Sequence, residues 1–201
     1  LEGIALRGDD SELLVVQERS NSVVVVDLSS RSERSRRPLS AMTNYDTIAH
    51  HFPDPPDNNG LEGITVNTRN NHVVVVKERQ PGLLIELDST LTTILSTRVM
   101  QPSHGFMHLE LKAEKLDFSG LSYDSSSDTL WIVSDKGRCL FQYDWAGDTV
   151  LQRLDLTIST GDKPKRIRKP EGVAFDPGRK RMYVVSDRDA DLYVFKLHDD
   201  C

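Results

Sequence analysis

The sequence predicts an all-β protein of the β-propeller class, and three observations support this prediction. A unit of three short apolar strands separated by polar turns recurs four times along the 201 residues. The spacing inside the unit is constant while the connectors vary in length, which is typical of stacked supersecondary modules. The connectors also lack the amphipathic helical pattern that a TIM barrel or doubly wound sheet requires. Tandem units of about 40–60 residues with three to four antiparallel strands are typical of propeller blades.

Each unit opens on a dipeptide that ends in glycine and leads into the first strand. The openers are Glu2-Gly3, Glu62-Gly63, Ser119-Gly120 and Glu171-Gly172. An acid followed by a base closes the second strand in every unit. These pairs are Glu18-Arg19, Glu78-Arg79, Asp135-Lys136 and Asp187-Arg188, and the differences 18 − 2, 78 − 62, 135 − 119 and 187 − 171 all equal 16. The units align without gaps, and we assign the repeats to residues 1–57, 58–115, 116–167 and 168–201 of one domain.

The strands themselves are apolar runs of four to six residues bounded by Gly, Asn, Asp and Ser, as in the valine runs at residues 23–26 and 73–76. A fourth strand is expected in each of the first three connectors. The candidates are residues 45–50 in the first, residues 94–100 or 107–111 in the second, and residues 149–156 in the third. The fourth unit offers no such candidate after its third strand.

Composition excludes several functional classes. The formal net charge of −6 argues against a nucleic-acid-binding protein that works by counterion release. The longest apolar runs fall far short of the roughly 20 residues that a spanning helix needs, and no signal peptide is visible. The start at Leu1 suggests a mature product, an excised domain or a fragment. Cys139 is expected to be a buried apolar residue and Cys201 a terminal thiol, with a disulfide between them as the alternative.

In a propeller, the 16-residue spacing predicts where a binding site would lie. The first strand of a blade lines the centre and the second returns antiparallel to it, so the opener and the second acid lie on one face. The residues predicted to line this face are Glu2, Glu62, Ser119 and Glu171 near the axis, then Glu18, Glu78, Asp135 and Asp187, with the bases Arg19, Arg79, Lys136 and Arg188. The glycine of each opener is expected to let neighbouring backbones approach closely.

A rim of carboxylates can be interpreted in two ways. Converging carboxylates repel one another unless a cation or hydrogen-bond donors compensate them, and hard oxygen ligands favour Ca²⁺. On this interpretation Glu2, Glu62 and Glu171 hold the metal. Alternatively, each acid pairs with its neighbouring base and braces one blade against the next. Ser119 breaks the symmetry of the repeat, and broken symmetry is where we expect a ligand to be selected.

Two segments of the chain are rich in basic residues. The run at residues 163–169 enters a first strand and is expected to overhang the same face, where Lys165, Arg166 or Arg168 would grip an anionic ligand. Like-charge runs are more commonly solvated loops. The Ser- and Arg-rich stretch at residues 29–37 is predicted to be a flexible loop on the opposite face, because its composition cannot build a core.

A histidine-containing segment offers a weaker site. His104, His108 and Glu110 have ligand-like spacing. Gly105 and the preceding Gln-Pro-Ser argue against the helix that would place both histidines on one face, so zinc is disfavoured.

The order of the repeats resembles the SdiA-regulated family of bacterial propeller domains. The residues that carry the resemblance read EGIA…VVxER…VVVVDL, GLEGIxV…VVKERxPxLLxEL, DFSGLSYD…TLWIVSD and PEGVAFD…MYVVSDxxxxLYVF. The resemblance implies a five-repeat domain of which this chain carries repeats two to five, so that the ring is either four-bladed or an incomplete five-bladed one. It also implies an exported or membrane-anchored protein, although no signal or anchor is visible in this chain. Calcium-dependent phytase-like propellers are similar more distantly.

Three functional hypotheses follow. The first is a non-catalytic propeller that binds a ligand, a cation such as Ca²⁺, or a protein on the carboxylate-lined face. The second is a Ca²⁺-dependent hydrolase of the phytase or lactonase kind that acts on an anionic ester there. The third is an incomplete propeller whose open edge pairs with a missing blade or with another chain. We favour the first, because no acid or base stands apart from the repeat pattern.

Overall fold

The computed structural model describes residues 1–7, 10–53, 58–160 and 163–197. It confirms an all-β protein built from four antiparallel blade-type sheets, with one additional two-stranded hairpin. The chain forms two compact units, Leu1–Met100 and Gln101–Cys201, and each contains two blades. Within the described ranges, the helices are six 3-10 turns of three residues each.

The first unit contains blades 1 and 2. Blade 1 consists of β1 (Ile4–Arg7), β2 (Glu12–Gln17), β3 (Ser22–Asp27) and β4 (Ser32–Pro38). Blade 2 consists of β5 (Leu61–Val66), β6 (Val73–Lys77), β7 (Leu83–Leu87) and β8 (Ile94–Val99). The 3-10 turns of this unit are Glu18–Ser20, Leu39–Ala41, Tyr45–Thr47 and Ala49–His51.

The second unit contains blades 3 and 4. Blade 3 consists of β9 (Gly120–Asp124), β10 (Thr129–Ser134), β11 (Cys139–Asp144) and β12 (Thr149–Asp155). A hairpin of β13 (Thr157–Thr160) and β14 (Lys163–Arg166) follows, and blade 4 consists of β15 (Pro170–Asp176), β16 (Arg181–Ser186) and β17 (Asp191–Lys196). The 3-10 turns of this unit are Pro102–His104 and Ala113–Lys115.

The core of each unit lies between its two blades. We call the sheet face that packs on the following blade the downstream face, and the face that receives the preceding blade the upstream face. In the first unit, the downstream face of blade 1 (Leu14, Val16, Val23, Val25) packs on the upstream face of blade 2 (Ile64, Val66, Val73, Val75). In the second unit, the downstream face of blade 3 (Trp131, Val133, Leu140) packs on the upstream face of blade 4 (Val173, Phe175, Met182, Val184). A strand with both faces buried is mostly apolar, which explains the four consecutive valines of β6, all of them buried.

The outermost strand of blade 1 differs from the prediction. Residues 45–50 form 3-10 turns rather than a strand, and the supposed loop at residues 29–37 supplies β4, which pairs antiparallel with β3. An outermost strand needs a hydrogen-bonded neighbour on one side only, so its side chains can be polar and exposed. The predictions for the other two connectors are confirmed by β8 and β12, whereas residues 107–111 are not a strand.

The gap-free alignment is wrong in the third strand of blade 2. The second and third strands pair at Gln17↔Ser22 in blade 1, Ser134↔Cys139 in blade 3 and Ser186↔Asp191 in blade 4, but at Lys77↔Leu83 in blade 2. The turn of blade 2 is therefore one residue longer and shifts β7 by one position. Because side chains alternate across a strand, this shift exchanges the faces assigned to residues 83–87.

Two further expectations concern the cysteines and the membrane. Cys139 is a free, fully buried thiol at the start of β11, and burial raises its pKa to about 12. Cys201 lies outside the described residues. No helix in the described parts of the chain is long and apolar enough to cross a membrane.

Candidate functional site

Three acids converge in the first unit. Glu18 begins the 3-10 turn after β2, Glu62 is the second residue of β5, and Glu78 directly follows β6. One carboxylate oxygen from each lies within 4.8 Å of the others, and all three side chains are half-buried. We call Glu18, Glu62 and Glu78 the acidic triad. It joins the second acid of blade 1 to both acids of blade 2, as the 16-residue spacing predicted for a shared face.

Backbone contacts around Gly60 hold the triad together. The Gly60 N–H points at Glu18 Oε1 (3.5 Å), and the Gly60 carbonyl accepts a hydrogen bond from the Glu78 N–H (2.9 Å). Asn21 Oδ1 accepts a hydrogen bond from the Leu61 N–H (3.2 Å). A Cβ on Gly60 would lie 2.6 Å from Asn21 Oδ1, so only glycine allows this close approach between blades.

Basic groups compensate part of the charge of the triad. Arg79 Nη1 lies 3.1 Å from Glu78 Oε1, as expected for an acid paired with the base that follows it. Arg79 Nε also donates to Asn59 Oδ1 (2.5 Å). Lys77 is fully buried, donates to the Arg79 carbonyl, and places its ammonium 5.8 Å from the centre of the Phe52 ring.

The second unit repeats the arrangement with different charges. Asp135 and Glu171 occupy the repeat positions of Glu18 and Glu62. Burial, followed by the negative charge of Asp135, raises the pKa of Glu171 to about 7. Burial and the nearby Asp117 likewise raise the pKa of Asp135. In the second unit, therefore, the second acid of blade 3 (Asp135) disfavours ionisation of the opener of blade 4 (Glu171).

A lysine provides the counter-charge in the second unit. Lys169 Nζ lies 3.5 Å from Glu171 Oε1 and 2.7 Å from Asp187 Oδ2. Its hydrogen bond with Asp187, together with the charge of Glu171, raises the pKa of Lys169. Lys169 lies two residues before the opener of blade 4, and Gly60 lies two residues before the opener of blade 2. The backbone contacts at the two positions match, because the Asp187 N–H donates to the Lys169 carbonyl (3.0 Å) and the Glu78 N–H donates to the Gly60 carbonyl (2.9 Å). Blade 2 thus has a glycine, with no side chain, at the position of Lys169.

Ser119, the opener that replaces an acid, is buried in the packing between blades 3 and 4. Its hydroxyl donates to the Pro170 carbonyl (3.2 Å), and its N–H donates to the Val133 carbonyl (3.0 Å). Nearby, the Ser122 hydroxyl accepts a hydrogen bond from the Phe175 N–H (2.9 Å). The serine hydroxyls of β9 and its opener therefore connect blade 3 to the first strand of blade 4.

The remaining predicted site residues lie outside these clusters. Glu2 is exposed and lies 3.7 Å from the amino group of Leu1, and Arg19 and Arg188 are exposed. Lys136 Nζ lies 4.0 Å from Asp117 Oδ2, and its charge also acts on Asp135. Asp117 is buried and accepts hydrogen bonds from the Ser134 hydroxyl (3.0 Å) and the Lys136 N–H (2.9 Å).

Sequence reasoning missed the position two residues before each opener. It holds Gly60 in blade 2, Asp117 in blade 3 and Lys169 in blade 4, and it decides the local charge. The change of residue type at this one repeat position, from glycine to acid to base, is the feature of the sequence that could have identified it. The apolar pattern does not identify it, because the position lies in a connector and not in a strand.

The basic run at residues 163–169 is mostly engaged in ion pairs. Arg166 pairs with Glu110 (2.9 Å), Arg168 Nε donates to Asp189 Oδ1 (2.7 Å), and Lys169 pairs with Asp187. The segment forms β14 and the entry to blade 4 rather than an unstructured loop. These contacts favour a structural role over capture of an anionic ligand.

The histidine-containing segment does not bring its groups together. His104 Nδ1 lies 3.3 Å from Asp148 Oδ1, whereas His108 Nδ1 accepts a hydrogen bond from the Glu110 N–H (3.1 Å). Among the residues that the structure describes, the acidic triad is the one group of three side chains close enough to share a metal ion.

Two solved structures that are similar to this chain are distant from it in sequence. A chain in the crystal structure of the mitotic checkpoint complex matches with a TM-score of 0.57 and 10% identity, over 98% of this chain and 49% of that one. Myxococcus xanthus glutaminyl cyclase matches with a TM-score of 0.62 and 11% identity, over 96% of this chain and 70% of that one. This chain thus spans about half of the first and about 70% of the second. Likenesses at this level of identity establish the fold alone. A family model described as SdiA-regulated matches residues 1–196, and the chain therefore belongs to the SdiA-regulated family.

Proposed function

We propose that this β-propeller domain is a non-catalytic binding module whose acidic triad binds a hard cation, with Ca²⁺ as the preferred ion. The observation that carries the proposal is the convergence of Glu18, Glu62 and Glu78 within 4.8 Å. In a triangle of oxygens with sides of that length, the centre lies about 2.8 Å from each oxygen. This distance is close to the Ca²⁺–oxygen distances of about 2.3–2.6 Å. A small inward movement would bring all three into coordination.

The second unit supports this proposal by analogy. There, the ammonium of Lys169 lies beside Glu171 and Asp187, the repeat counterparts of Glu62 and Glu78. Blade 2 has Gly60 at the position of the lysine. A bound cation in the first unit would perform the role that a covalently attached ammonium performs in the second. Carboxylate-only ligands favour Ca²⁺ over Zn²⁺ because hard oxygen donors suit hard cations.

Calcium titration of the purified protein tests the proposal. We expect near-stoichiometric Ca²⁺ by elemental analysis, and a melting temperature that falls on chelation and recovers when Ca²⁺ is added. The double variant Glu18→Gln/Glu62→Gln should abolish both effects while retaining the fold. Glu2→Gln is the matched control, since this exposed opener lies outside the triad. Metal-free wild-type protein whose melting temperature ignores both chelator and Ca²⁺ would contradict the proposal.

One observation favours a second candidate, a Ca²⁺-dependent hydrolase that acts on an anionic ester. Glu171 has a pKa of about 7, the range that suits a general acid or base near neutral pH. A panel of phosphate esters and lactones with added Ca²⁺ should then show turnover that Glu171→Gln removes and Glu2→Gln preserves. Absence of turnover across the panel would leave the non-catalytic role.

A further inference from the structure

The sequence contains a single Asn-Gly dipeptide, Asn59-Gly60, and it lies at the entry to blade 2. Because glycine has no side chain, the backbone nitrogen that follows such an asparagine reaches the side-chain amide carbon with little hindrance. The five-membered ring that forms is opened by water, and a carboxylate then replaces the amide. The dipeptide is therefore chemically labile, and the groups around it decide whether it reacts.

An arginine contacts the side-chain carbonyl of Asn59. Arg79 Nε donates to Asn59 Oδ1 (2.5 Å), and Asn59 is half-buried. The same guanidinium lies beside Glu78, with Arg79 Nη1 3.1 Å from Glu78 Oε1, so two contacts fix its orientation. A cationic donor on a carbonyl oxygen stabilises the oxyanion that forms when a nucleophile adds to the carbon. Asn59 is thus activated as an electrophile.

The backbone nitrogen of Gly60 has a carboxylate beside it. The Gly60 N–H makes a long hydrogen bond to Glu18 Oε1 (3.5 Å), and it lies just before the pairing of β5 with β6, which begins at Leu61. An amide nitrogen becomes a nucleophile only when its proton is removed, and a carboxylate within reach can accept that proton. Glu18 is therefore positioned as the base for Gly60.

We propose that Asn59 is a self-modifying deamidation site, at which the folded protein promotes the reaction through Glu18 and Arg79. The Gly60 nitrogen bonds to Asn59 Cγ while its proton passes to the Glu18 carboxylate. Arg79 Nε stabilises the negative charge that develops on Asn59 Oδ1. The Cγ–Nδ2 bond of Asn59 then breaks, and the nitrogen takes the proton back from Glu18 and leaves as ammonia.

Water completes the reaction by opening the succinimide ring. Cleavage between the Gly60 nitrogen and Asn59 Cγ leaves an aspartate with the original backbone. Cleavage between the Gly60 nitrogen and the backbone carbonyl carbon of Asn59 leaves an isoaspartate, whose main chain runs through Cγ. In both cases one water is consumed and one ammonia is released, so the reaction needs no oxidant, reductant or further reagent.

The two products change the first unit differently. Aspartate adds one negative charge at position 59, next to Arg79 and Glu78, and leaves the backbone unchanged. Isoaspartate inserts a methylene into the main chain before Gly60. A Cβ on Gly60 would already lie 2.6 Å from Asn21 Oδ1 and 2.9 Å from Glu18 Cγ, so the chain has little room to shift there. We therefore expect isoaspartate, and not aspartate, to loosen the packing between blades 1 and 2.

Peptide mass spectrometry of the full chain, incubated at neutral pH with a chelator, tests the proposal. The chelator keeps Glu18 free of metal, so the result does not depend on the proposed cation. We expect a gain of about 1 Da at Asn59, preceded by a succinimide form that has lost ammonia. Asn59→Gln should abolish the gain, because glutamine would have to form a six-membered ring. Asn58→Gln, at the exposed neighbouring position, should leave it unchanged.

A comparison with denatured protein shows whether the fold promotes the reaction. In urea, the wild type and the variants below should convert at one common rate, and the folded wild type should convert faster than that. Glu18→Gln should lower the folded rate at least about tenfold, because the base is lost. Arg79→Lys should lower it about tenfold as well, because lysine keeps the charge but not the planar Nε donor. Melting curves identify any variant that is not folded in the assay.

Two results would overturn the proposal. If the folded wild type converts more slowly than the denatured chain, packing protects Asn59 and the fold does not promote the reaction. If the folded rate is unchanged in both Glu18→Gln and Arg79→Lys, neither group has the assigned role. The first comparison uses wild-type protein only, so it decides the proposal even when a substitution unfolds the chain.

Discussion

Gly120 lies so close to Glu171 that a Cβ on Gly120 would be 2.7 Å from the Glu171 carbonyl oxygen. The same relationship holds in the first unit between Gly3 and Glu62, at 2.6 Å. Gly3 and Gly120 thus set how closely the first strands of the two blades approach within each unit. That approach in turn brings the second acid of one blade to the opener of the next.

Gly120→Ala should therefore destabilise the second unit. The methyl group would collide with backbone, which cannot move aside as a side chain can, and overpacking of this kind costs about 1–3 kcal/mol. The measurement is the free energy of unfolding in urea. Gly172→Ala is the matched control, because its Cβ meets an exposed valine side chain that can rotate away. Equal destabilisation by the two variants would contradict this explanation of the opener glycine.

Glu171→Gln should stabilise the protein at pH 8 and change little at pH 4. The pKa of Glu171 is about 7 in the folded state against 4.5 for the unperturbed group, because burial and Asp135 disfavour its charge. The folded state therefore binds the proton more tightly, and stability falls as the pH rises from about 4.5 to about 7. After discounting for partial exposure, we expect a gain of about 1–2 kcal/mol at pH 8 from the neutral side chain. Chemical denaturation at both pH values measures the difference.

Asp135→Asn distinguishes the two causes of the raised pKa of Glu171, which are burial and the charge of Asp135. Removing the negative charge of Asp135 should lower the pKa of Glu171 towards its ordinary value, while burial keeps it above that value. An NMR titration of the Glu171 carboxyl resonance reports this pKa directly. Asp187→Asn should act in the opposite direction if Lys169 loses its position beside Glu171, since Asp187 holds the Lys169 amine at 2.7 Å. An unchanged titration in Asp135→Asn would show that the two carboxylates are not coupled.

Ser119→Ala should weaken the packing between blades 3 and 4. The variant removes the donor to the Pro170 carbonyl, and loss of a buried hydrogen bond of this kind costs about 0.5–1.5 kcal/mol. Thermal unfolding and hydrogen exchange at β9 and β15 would measure the effect. Ser103→Ala is a suitable control, because Ser103 is exposed in the 3-10 turn Pro102–His104 of the same unit. If Ser119→Ala leaves stability unchanged but alters binding of a ligand, the hydroxyl serves the site instead.

Acid should destabilise the first unit through Asp88. Burial opposes ionisation of this carboxylate, but hydrogen bonds from Thr90, Thr93 and Thr92 outweigh burial and lower the pKa to about 2. A group whose folded pKa lies below its unfolded value stabilises the protein above about pH 4, and this stabilisation is lost as the pH falls towards 2. Asp88→Ala should cost about 1–2 kcal/mol at pH 7 and much less at pH 2, measured by denaturant titration at both pH values. A pH-independent cost would assign the effect to backbone geometry instead of charge.

The apolar pattern was sufficient to predict the blades but not their outer strands. The valine runs of β3 and β6 mark strands because burial on both faces removes any polar alternation. The Ser- and Arg-rich β4 could not be recognised, since an exposed outermost strand is specified by backbone pairing with β3 and not by its own side chains. The apolar pattern also could not predict the extra residue in the turn before β7. Leu83 and Leu84 are both apolar, so either register satisfies the pattern.

The metal ligands predicted from the sequence were Glu2, Glu62 and Glu171, and of these only Glu62 belongs to the acidic triad. The 16-residue spacing correctly paired the opener with the second acid of the same blade, as Glu62 and Glu78 show. It did not reveal that the closest partner in the second unit is a lysine two residues before the opener, nor that Ser119 donates to the Pro170 carbonyl. Those contacts join residues of different blades or connectors, and no single repeat contains them.

By itself, then, the sequence determined the fold class, the blade repeats and the residues at their openers, because periodic burial and turn chemistry are local properties of the chain. Only the tertiary structure decided which charges meet. The second acid of one blade approaches the opener of the next because glycine lets the first strands come close. The residue two positions before that opener is a glycine in blade 2, an aspartate in blade 3 and a lysine in blade 4, so the local charge differs between blades. Distances between groups so far apart in sequence are set by packing between sheets, and packing is specified by all the side chains of the interface together.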